Sequence, residues 1–480
     1  MSLNKKFLNF FFILILIIYF ENSNEIILEN FINEFTGIYI SINSDNNNSN
    51  KIFDLNSLNI TDQDYNIYIN GTRENLSSTI YPFKKGITYN IKVTFNKLLE
   101  KTNNMFINCI SLISLDLSLF NTSKVTNMNK MFYGCSSLTS VNLKNFNTEK
   151  VILMEDMFYS CNSLLNLNIS SFNTMNVISM ESMFSGCSSL RFLDLTSFIT
   201  NNVKKMGWLF SYCESLTYLN LLSFNTRKVK TMQSMFANCK SLNSIELSSF
   251  DTENVENMES MFSGCFSLNT LNLKNFNTRN VITMNSMFYN CESLINIELS
   301  KFNTEKVKTM ANMFFNCISL IELDLSSFNT KEVTYLSNMF YNCLSLTSIN
   351  LNSFNTERVV NTGNMFNNCV SLKNVNLSSF NSTSFEYIYN MFYNCKSLIS
   401  IDLNNFRFDN VFDMEQLFFE CNNLKTIIIG NCELKDDTNL NNAFHGLKQN
   451  GIIKVSKGKC NTIVYELLST NPDWIVEYYE

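Results

Sequence analysis

One pattern of apolar and polar residues repeats every 26 residues along most of the chain. Thirteen cysteines mark the repeat. They are Cys109, Cys135, Cys161, Cys187, Cys213, Cys239, Cys265, Cys291, Cys317, Cys343, Cys369, Cys395 and Cys421. A unit counted from its first leucine, such as Leu138 to Ser163, reads LTSVNLKNFNTEKVILMEDMFYSCNS. Self-similarity at a fixed period of this length indicates a solenoid, in which neighbouring copies bury each other's apolar faces.

Each unit divides into two halves with different hydrophobic periods. The first half, LxxLxL, ends in alternating apolar residues, which predicts a short strand. The second half, VxxMxxMFxxC, spaces its apolar residues by three or four, which predicts a helix. Thr148, which precedes this half, would be the helix N-cap. The pattern therefore predicts an α/β fold, a solenoid of about 13 strand–helix coils over residues 99–447.

The sequences on either side of the array differ from it. Within residues 24–98, the segments TGIYISIN, DYNIYING and TYNIKVTF alternate apolar and polar residues, which predicts a small β-rich N-terminal cap. Residues 448–480 contain one more strand-like segment, GIIKVSKGK, followed by a helical pattern and a tail. We predict a C-terminal cap there, because a solenoid must shield its last apolar face from water.

The first 23 residues have the pattern of a secretory signal. Lys5 and Lys6 precede an apolar stretch from Phe7 to Phe20, and the polar sequence ENSNE follows it. A membrane span needs about 20 apolar residues, whereas the apolar region of a secretory signal is shorter. We expect residues 1–23 to be a signal peptide, with no membrane span after its cleavage, and the protein to be secreted or at the cell surface. An uncleaved anchor is the alternative.

Composition narrows the chemistry. The chain has one histidine, His445, which lies in the decaying last unit and is predicted to be outside the repeated ladders. Catalytic triads, histidine acid–base pairs and His-rich zinc sites would all depend on this residue. We therefore expect no enzyme, no cofactor and no metal centre. The net charge is −6, with 36 Lys and Arg against 42 Asp and Glu, so nucleic acid is a poor candidate partner.

The unit MFxxCxSLxxLxLSSFNTxxVxxM resembles the BspA-like leucine-rich repeats in their 26-residue form. The resemblance covers about residues 99–447. It implies a leucine-rich-repeat solenoid in an extracellular or surface location and, as for several members of that family, adhesion to host matrix proteins or to other cells. It implies no enzyme, and the family has no fixed functional residues to transfer to this chain.

The regular cysteines are expected to be free thiols in the core. Cysteines 26 residues apart are related by translation between coils, so their Cβ atoms do not converge to the ~3.8 Å that a disulfide prefers. Buried free cysteine packs as a small hydrophobic residue. The two remaining cysteines, Cys432 and Cys460, are off register and lie in or beside the C-terminal cap. If any cysteines of the chain form a disulfide, we predict that it is this pair.

Outward-pointing strand residues form the predicted ligand surface. In the twelve coils from Asp116 to Asp402, the position between the last two aliphatic residues is an acid or an amide. Its acids are Asp116, Asp194, Glu246, Glu298, Asp324 and Asp402. The outward position two residues earlier holds Phe192 and Tyr218 on adjacent coils, and Glu322. We expect these side chains on a concave face, where solenoids bind ligands and exposed aromatic residues act as anchors. Polar residues would also occur there simply because the positions face water.

Three functions remain open for this surface. The leading hypothesis is a non-enzymatic recognition or adhesion protein that binds a protein or glycan ligand. Glu298, Glu322 and Asp324 lie on adjacent coils and could instead bind Ca²⁺ weakly or serve a carbohydrate-active β-helix enzyme, although an open face offers no closed pocket. The absence of helix from VxxMxxMFxxC would favour the β-helix. A purely structural surface-coat protein would bind no ligand saturably.

Overall fold

The computed structural model describes residues 37–43, 51–54, 58, 60–74, 81, 83–84 and 87–479. The predicted signal peptide, residues 1–23, lies outside the described residues. Within the described ranges, no helix is both long and apolar enough to cross a bilayer.

The N-terminal cap is an antiparallel sheet that continues into the solenoid. Its described strands are β1 (Gly37–Asn43), β2 (Tyr65–Ile69), β3 (Thr72–Glu74) and β4 (Thr88–Phe95). β1 also pairs antiparallel with β5 (Leu112–Asp116) in the first coil, and β5 pairs in parallel with β6 (Ser140–Asn142). The resulting sheet has six strands in the order β3-β2-β4-β1-β5-β6. The cap therefore covers the first coil by sharing a sheet with it.

The predicted solenoid is confirmed, with each 26-residue unit forming one coil that stacks on the next. The strand halves pair in parallel between neighbouring coils at β5/β6 and at three further places along the array. The further strands in the array are β7 (Tyr218–Asn220), β8 (Ser244–Glu246), β9 (Glu322–Asp324), β10 (Ser348–Asn350), β11 (Ser400–Arg407) and β12 (Thr426–Asn431). A second ladder of thirteen single parallel bridges runs unbroken from Lys101 to Asn439. These bridges join fourteen successive coils.

The predicted helix in each coil is wrong. The VxxMxxMFxxC half forms consecutive turns, and the described residues 99–447 contain no α-helix. In one coil, the N–H groups of Met154, Asp156, Phe158 and Ser160 donate to carbonyl oxygens of the next coil at 2.7–3.2 Å. An α-helix would need those same N–H groups for bonds within the segment. Hydrogen bonding between coils therefore replaces hydrogen bonding within a helix.

Left-handed residues create these turns. Asp156 and Ser160 have φ angles of 56° and 54°, and the equivalent pair has positive φ in the other coils. The second member of the pair is asparagine or glycine at Asn108, Gly134, Gly186, Asn238, Gly264, Asn290, Asn316, Asn342, Asn368, Asn394 and Gly446. Glycine and asparagine adopt this conformation most readily. The apolar spacing of three and four suits a helix and this double turn equally, so periodicity alone does not separate them.

The threonine predicted to cap a helix joins neighbouring coils instead. Thr148 Oγ1 donates to the carbonyl oxygen of Asn173 at 2.9 Å and accepts from the N–H of the same residue at 2.7 Å. Thr278 makes the same two bonds to Asn303. Both threonines are buried. In these two coils, one hydroxyl therefore satisfies two backbone groups of the next coil.

Stacked side chains form a continuous core. The Phe132 and Phe158 rings stack with centroids 5.0 Å apart, and a second phenylalanine ladder runs along the array as well. The thirteen regular cysteines are buried free thiols. Cys135 Sγ–H donates to the carbonyl oxygen of Phe106 in the preceding coil at 3.0 Å, and its equivalents repeat this contact. Burial raises the pKa of the Cys109 thiol to about 12.

A disulfide lies at the C-terminal end of the array. Cys432 and Cys460 are joined there, with Cα atoms 4.7 Å apart. The cap consists of β13 (Ile452–Ser456), helix α1 (Asn461–Thr470) and β14 (Ile475–Tyr479). β13 pairs in parallel with both β12 and β14. The segment predicted as a tail is therefore the edge strand of a four-stranded sheet, β11-β12-β13-β14.

Candidate ligand-binding face

We call the outward side of the strand halves the strand face. Six of the nine predicted ligand residues hold one equivalent position on it, and they are Asp116, Asp194, Glu246, Glu298, Asp324 and Asp402. The side chain of each accepts a hydrogen bond from the backbone N–H two residues later, at 2.8–3.3 Å. Asn142 and Asn376 do the same in their coils. The turn after the strand therefore accounts for the acids and amides at this position.

Hydrogen bonding lowers the pKa of three of these carboxyl groups. The backbone N–H of Thr196 is the main cause for the lowered pKa of Asp194. For Glu246 and Glu298, the main cause is the side chain of the serine two residues later, followed by its backbone N–H. A hydrogen bond donated to the charged form of an acid stabilises that form. These side chains therefore act as ionised acceptors at neutral pH.

Phe192, Tyr218 and Glu322 hold the other outward position. The Phe192 side chain is 64% exposed and that of Tyr218 is 44% exposed. The two lie at equivalent positions of neighbouring coils, and among the described residues no ring stacking joins them. Leu165, in the coil before that of Phe192, and Leu222, in the coil of Tyr218, are also exposed. Exposed apolar side chains therefore lie in three consecutive coils, between residues 165 and 222.

Glu298, Glu322 and Asp324 are not brought together as a group of metal ligands in the described part of the chain. Glu322 and Asp324 lie in β9 and line a shallow groove of about 500 Å³, together with Ile295 and Ile321. The Glu298 carboxylate is not part of the groove lining, and one Asp324 oxygen is engaged by its own turn. Throughout the described ranges, no three His, Cys, Asp or Glu side chains are grouped as metal ligands.

A larger groove lies where the N-terminal sheet meets the first coils, and we call it the junction groove. Its volume is about 740 Å³. Its polar and aromatic lining residues are Tyr39, Ser41, Tyr68, Asn90, Lys92, Ser114, Asp116, Ser140 and Asn142. Of these, the sequence-based site includes only Asp116. The alternation in TGIYISIN and TYNIKVTF could have indicated the other lining residues, because it puts Tyr39 and Lys92 on the polar side of their strands. The sequence-based prediction treats these segments only as a cap and does not consider that their polar side could bind a ligand.

Further ladders lie on the turn half of the coils. The rings of Tyr289, Phe315 and Tyr341 stack at centroid distances of 4.5 and 4.6 Å. The last residue in this coil position is His445, whose ring stacks on Phe419 at 5.1 Å. The prediction that His445 lies outside the ladders is therefore wrong. The three stacked rings are half-buried, and their contacts hold neighbouring coils together.

A family described as "Mycoplasma protein of unknown function, DUF285" matches residues 80–191, 178–294, 205–322, 268–373 and 336–452. These overlapping matches span more than three quarters of the chain. A solved structure titled "Crystal structure of TLR13-ssRNA13 complex" is 12% identical, with a TM-score of 0.14, and the match covers 79% of this chain and 84% of that chain. A likeness at that TM-score supports no conclusion about fold or ligand. No curated protein matches the chain.

Proposed function

The chain belongs to the DUF285 family, and from this premise we propose that it is a non-enzymatic recognition protein whose strand face binds a protein or glycan ligand. In this proposal it is secreted or held at the cell surface, as a BspA-like leucine-rich-repeat surface protein of the kind that its repeat resembles. Neither nucleic acid nor a membrane span is part of the proposal.

The observation that carries the proposal is the exposed aromatic pair, Phe192 and Tyr218, on an otherwise polar strand face. A solenoid offers its strand surface to ligands because coil stacking makes that surface long and continuous. Binding energy at protein interfaces is concentrated in a few aromatic anchors surrounded by polar contacts. The exposed leucines Leu165 and Leu222 enlarge the apolar area around the pair.

Two features support an extracellular location. The sequence of residues 1–23 has the order of charged, apolar and polar segments found in secretory signals. The disulfide between Cys432 and Cys460 is a bond that persists in oxidising compartments and is rare in the cytosol of most organisms.

For the alternative of a carbohydrate-active β-helix enzyme that uses strand-face carboxylates, the support is the path of the coils and not the chemistry of those carboxylates. The missing helix in each coil agrees with the β-helix that this alternative requires. Its chemistry requires a carboxylic acid whose pKa is raised so that it can donate a proton. The pKa values of Asp194, Glu246 and Glu298 are lowered instead. A recognition role therefore fits the strand-face carboxylates better than a catalytic one.

The test compares the wild-type chain with the double variant Phe192→Ala/Tyr218→Ala. Binding is measured by biolayer interferometry on fibronectin, laminin, fibrinogen and a panel of immobilised oligosaccharides. We expect saturable binding to at least one of these, weakened at least tenfold by the double variant. Tyr465→Ala is the matched control, because Tyr465 in α1 is 75% exposed and far along the chain from the pair.

Two results would contradict the proposal. Unchanged affinity of the double variant for a ligand of the wild type would remove Phe192 and Tyr218 from the binding surface. An absence of saturable binding to every protein, glycan and intact cell tested would favour the structural surface-coat alternative.

A further inference from the structure

The junction groove brings charged and aromatic side chains into one row across four strands. Strand register places Lys92 opposite Tyr68 on one side and opposite Tyr39 on the other, and Tyr39 opposite Asp116. Adjacent strands lie about 4.8 Å apart, so the row from Tyr68 to Asp116 is about 14 Å long. The residues that alternate with this row, such as Ile40, are buried. The row therefore faces solvent.

A second row of short polar side chains runs beside the first. It comprises Asn90, Ser41, Ser114 and Ser140, which are paired across β4, β1, β5 and β6. The groove thus combines two tyrosine rings with serine hydroxyls and asparagine amides. This combination recurs in antibody binding sites, because tyrosine gives rigid contact area and serine and asparagine give adaptable hydrogen bonds.

Lys92 is the cation among the residues that line the groove, and it has no carboxylate partner among the described residues. Its Nζ lies 5.8 Å from the centre of the Tyr39 ring, and no ion pair in the described part of the chain includes it. The Asp116 carboxylate lies two strands away, and one of its oxygens accepts from the N–H of Ser118 at 2.8 Å. A single cation whose strand lies two strands, or about 10 Å of sheet, from the strand of a single anion suits a ligand with isolated carboxylates and hydroxyl groups, and not a polyphosphate.

We propose that the junction groove binds an acidic oligosaccharide. The apolar face of one sugar ring packs on Tyr39, which is 44% exposed. A carboxylate of the sugar pairs with Lys92, and sugar hydroxyls donate to Asp116 and hydrogen-bond with Asn142. The groove offers flat rings and short polar groups in place of deep apolar pockets, which favours a sugar over a peptide anchored by apolar side chains. This inference rests on the proposed function, because it takes the chain as a recognition protein, and it adds a second binding site at the end of the strand face.

The experiment uses matched acidic and neutral oligosaccharides, with binding measured by isothermal titration calorimetry. The pairs are 3′-sialyllactose with lactose, and a hyaluronan hexasaccharide with chitohexaose. For the wild-type chain we expect at least one acidic member to bind at least tenfold more tightly than its neutral partner. We also expect this affinity to fall as the salt concentration rises, since the Lys92 pair is screened near the surface.

Two variants separate the contributions of charge and ring. Lys92→Gln is expected to weaken binding of the acidic sugar about tenfold and to remove the preference over the neutral one. Tyr39→Ala is expected to weaken binding of both sugars, whereas Tyr39→Phe retains it because the ring remains. Lys396→Gln is the matched control, because Lys396 is an exposed lysine in a coil far from the groove. Thermal unfolding of each variant checks that it is folded.

Several outcomes overturn the inference. One is equal binding, or none, of both members of each pair by the wild type. Another is an acidic-sugar affinity unchanged in Lys92→Gln and in Tyr39→Ala. The proposed function survives either outcome if a ligand still depends on Phe192 and Tyr218, so the two proposals fail separately.

Discussion

Replacing Thr278 by valine tests the inter-coil hydrogen bonds that build the array. Valine has the shape of threonine without its hydroxyl group. Thr278 Oγ1 makes two bonds to Asn303 of the next coil, both at 2.8 Å, and Thr278 is 1% exposed. A hydrogen bond contributes about 0.5–1.5 kcal/mol net to stability. Losing both bonds is therefore expected to cost about 2 kcal/mol.

The measurement is native-state amide hydrogen exchange, which reports stability coil by coil even where unfolding of a long repeat array is not two-state. The Asn303 N–H donates to Thr278 Oγ1 at 2.8 Å, so it loses its partner in Thr278→Val. We expect its exchange to become about 30 times faster, since every 1.4 kcal/mol is a factor of ten. Thr278→Ser is the control. It keeps the hydroxyl, as Ser382 does naturally at the equivalent position, so the Asn303 amide should stay protected.

The position of the amides that exchange faster shows whether Thr278 bonds the next coil or caps a helix in its own coil. A helix N-cap bonds the backbone N–H two or three residues later, so its loss would expose amides of residues 280–281 in the same coil. Faster exchange at those amides, with Asn303 unchanged, would refute the inter-coil role.

Three further predictions concern the thiols, the cap and the N-terminus. Denatured, unreduced protein should contain roughly thirteen titratable sulfhydryls, whereas the native protein at pH 8 should show almost none because all thirteen are buried; a denatured count near one would contradict this. Burial raises the pKa of Cys265 and Cys421 from 9.0 to about 12, so the unfolded state loses these protons first, and stability should be complete below pH 9 and fall between pH 9 and pH 12, as melts across that range would show. Reducing the Cys432–Cys460 disulfide, which closes a loop with a sequence separation of 28, should destabilise the C-terminal cap by about 3–4 kcal/mol; unchanged exchange in β13 and α1 would contradict this. Mass spectrometry of the exported protein should show an N-terminus close to Asn24, and an intact Met1 would indicate an uncleaved anchor.

The repeat, the core and the register of the coils could be predicted from sequence, because they depend only on each coil being a shifted copy of the one before it. Any coil that repeats every 26 residues stacks equivalent side chains, so the ladders containing Phe158 and Cys161 follow whatever the coil's internal path is. The strands of the N-terminal cap could also be predicted, because alternation has a single structural interpretation there. Apolar residues spaced by three and four, in contrast, have two structural interpretations, a helix and the double turn. The residues with positive φ, such as Ser160, distinguish the double turn from a helix, and they lie outside the repeated apolar positions.

The strand-face site was harder to predict, because sequence does not reveal what a polar side chain bonds to. Asp194 and Glu298 are acids at an outward position, which is equally consistent with ligand binding and with capping a turn. In the structure, each carboxylate accepts a hydrogen bond from the backbone N–H two residues later in its own coil. The junction groove depends on β1 pairing with β5 across more than 70 residues of sequence, and no local pattern contains that pairing.

The two outward positions of the strand face therefore differ in their freedom to vary. The position of Asp194 supplies an acceptor for the turn that ends the strand, and in the twelve coils from Asp116 to Asp402 it holds only acids and amides. The position two residues earlier makes no such bond in the coils of Phe192, Tyr218 and Glu322, and it holds an aromatic ring in two coils and a carboxylate in the third. Changes there leave the backbone bonds of the coil intact. Ligand specificity in this solenoid is therefore expected to depend on the second position, and substitution at Phe192 or Tyr218 should change binding without changing stability.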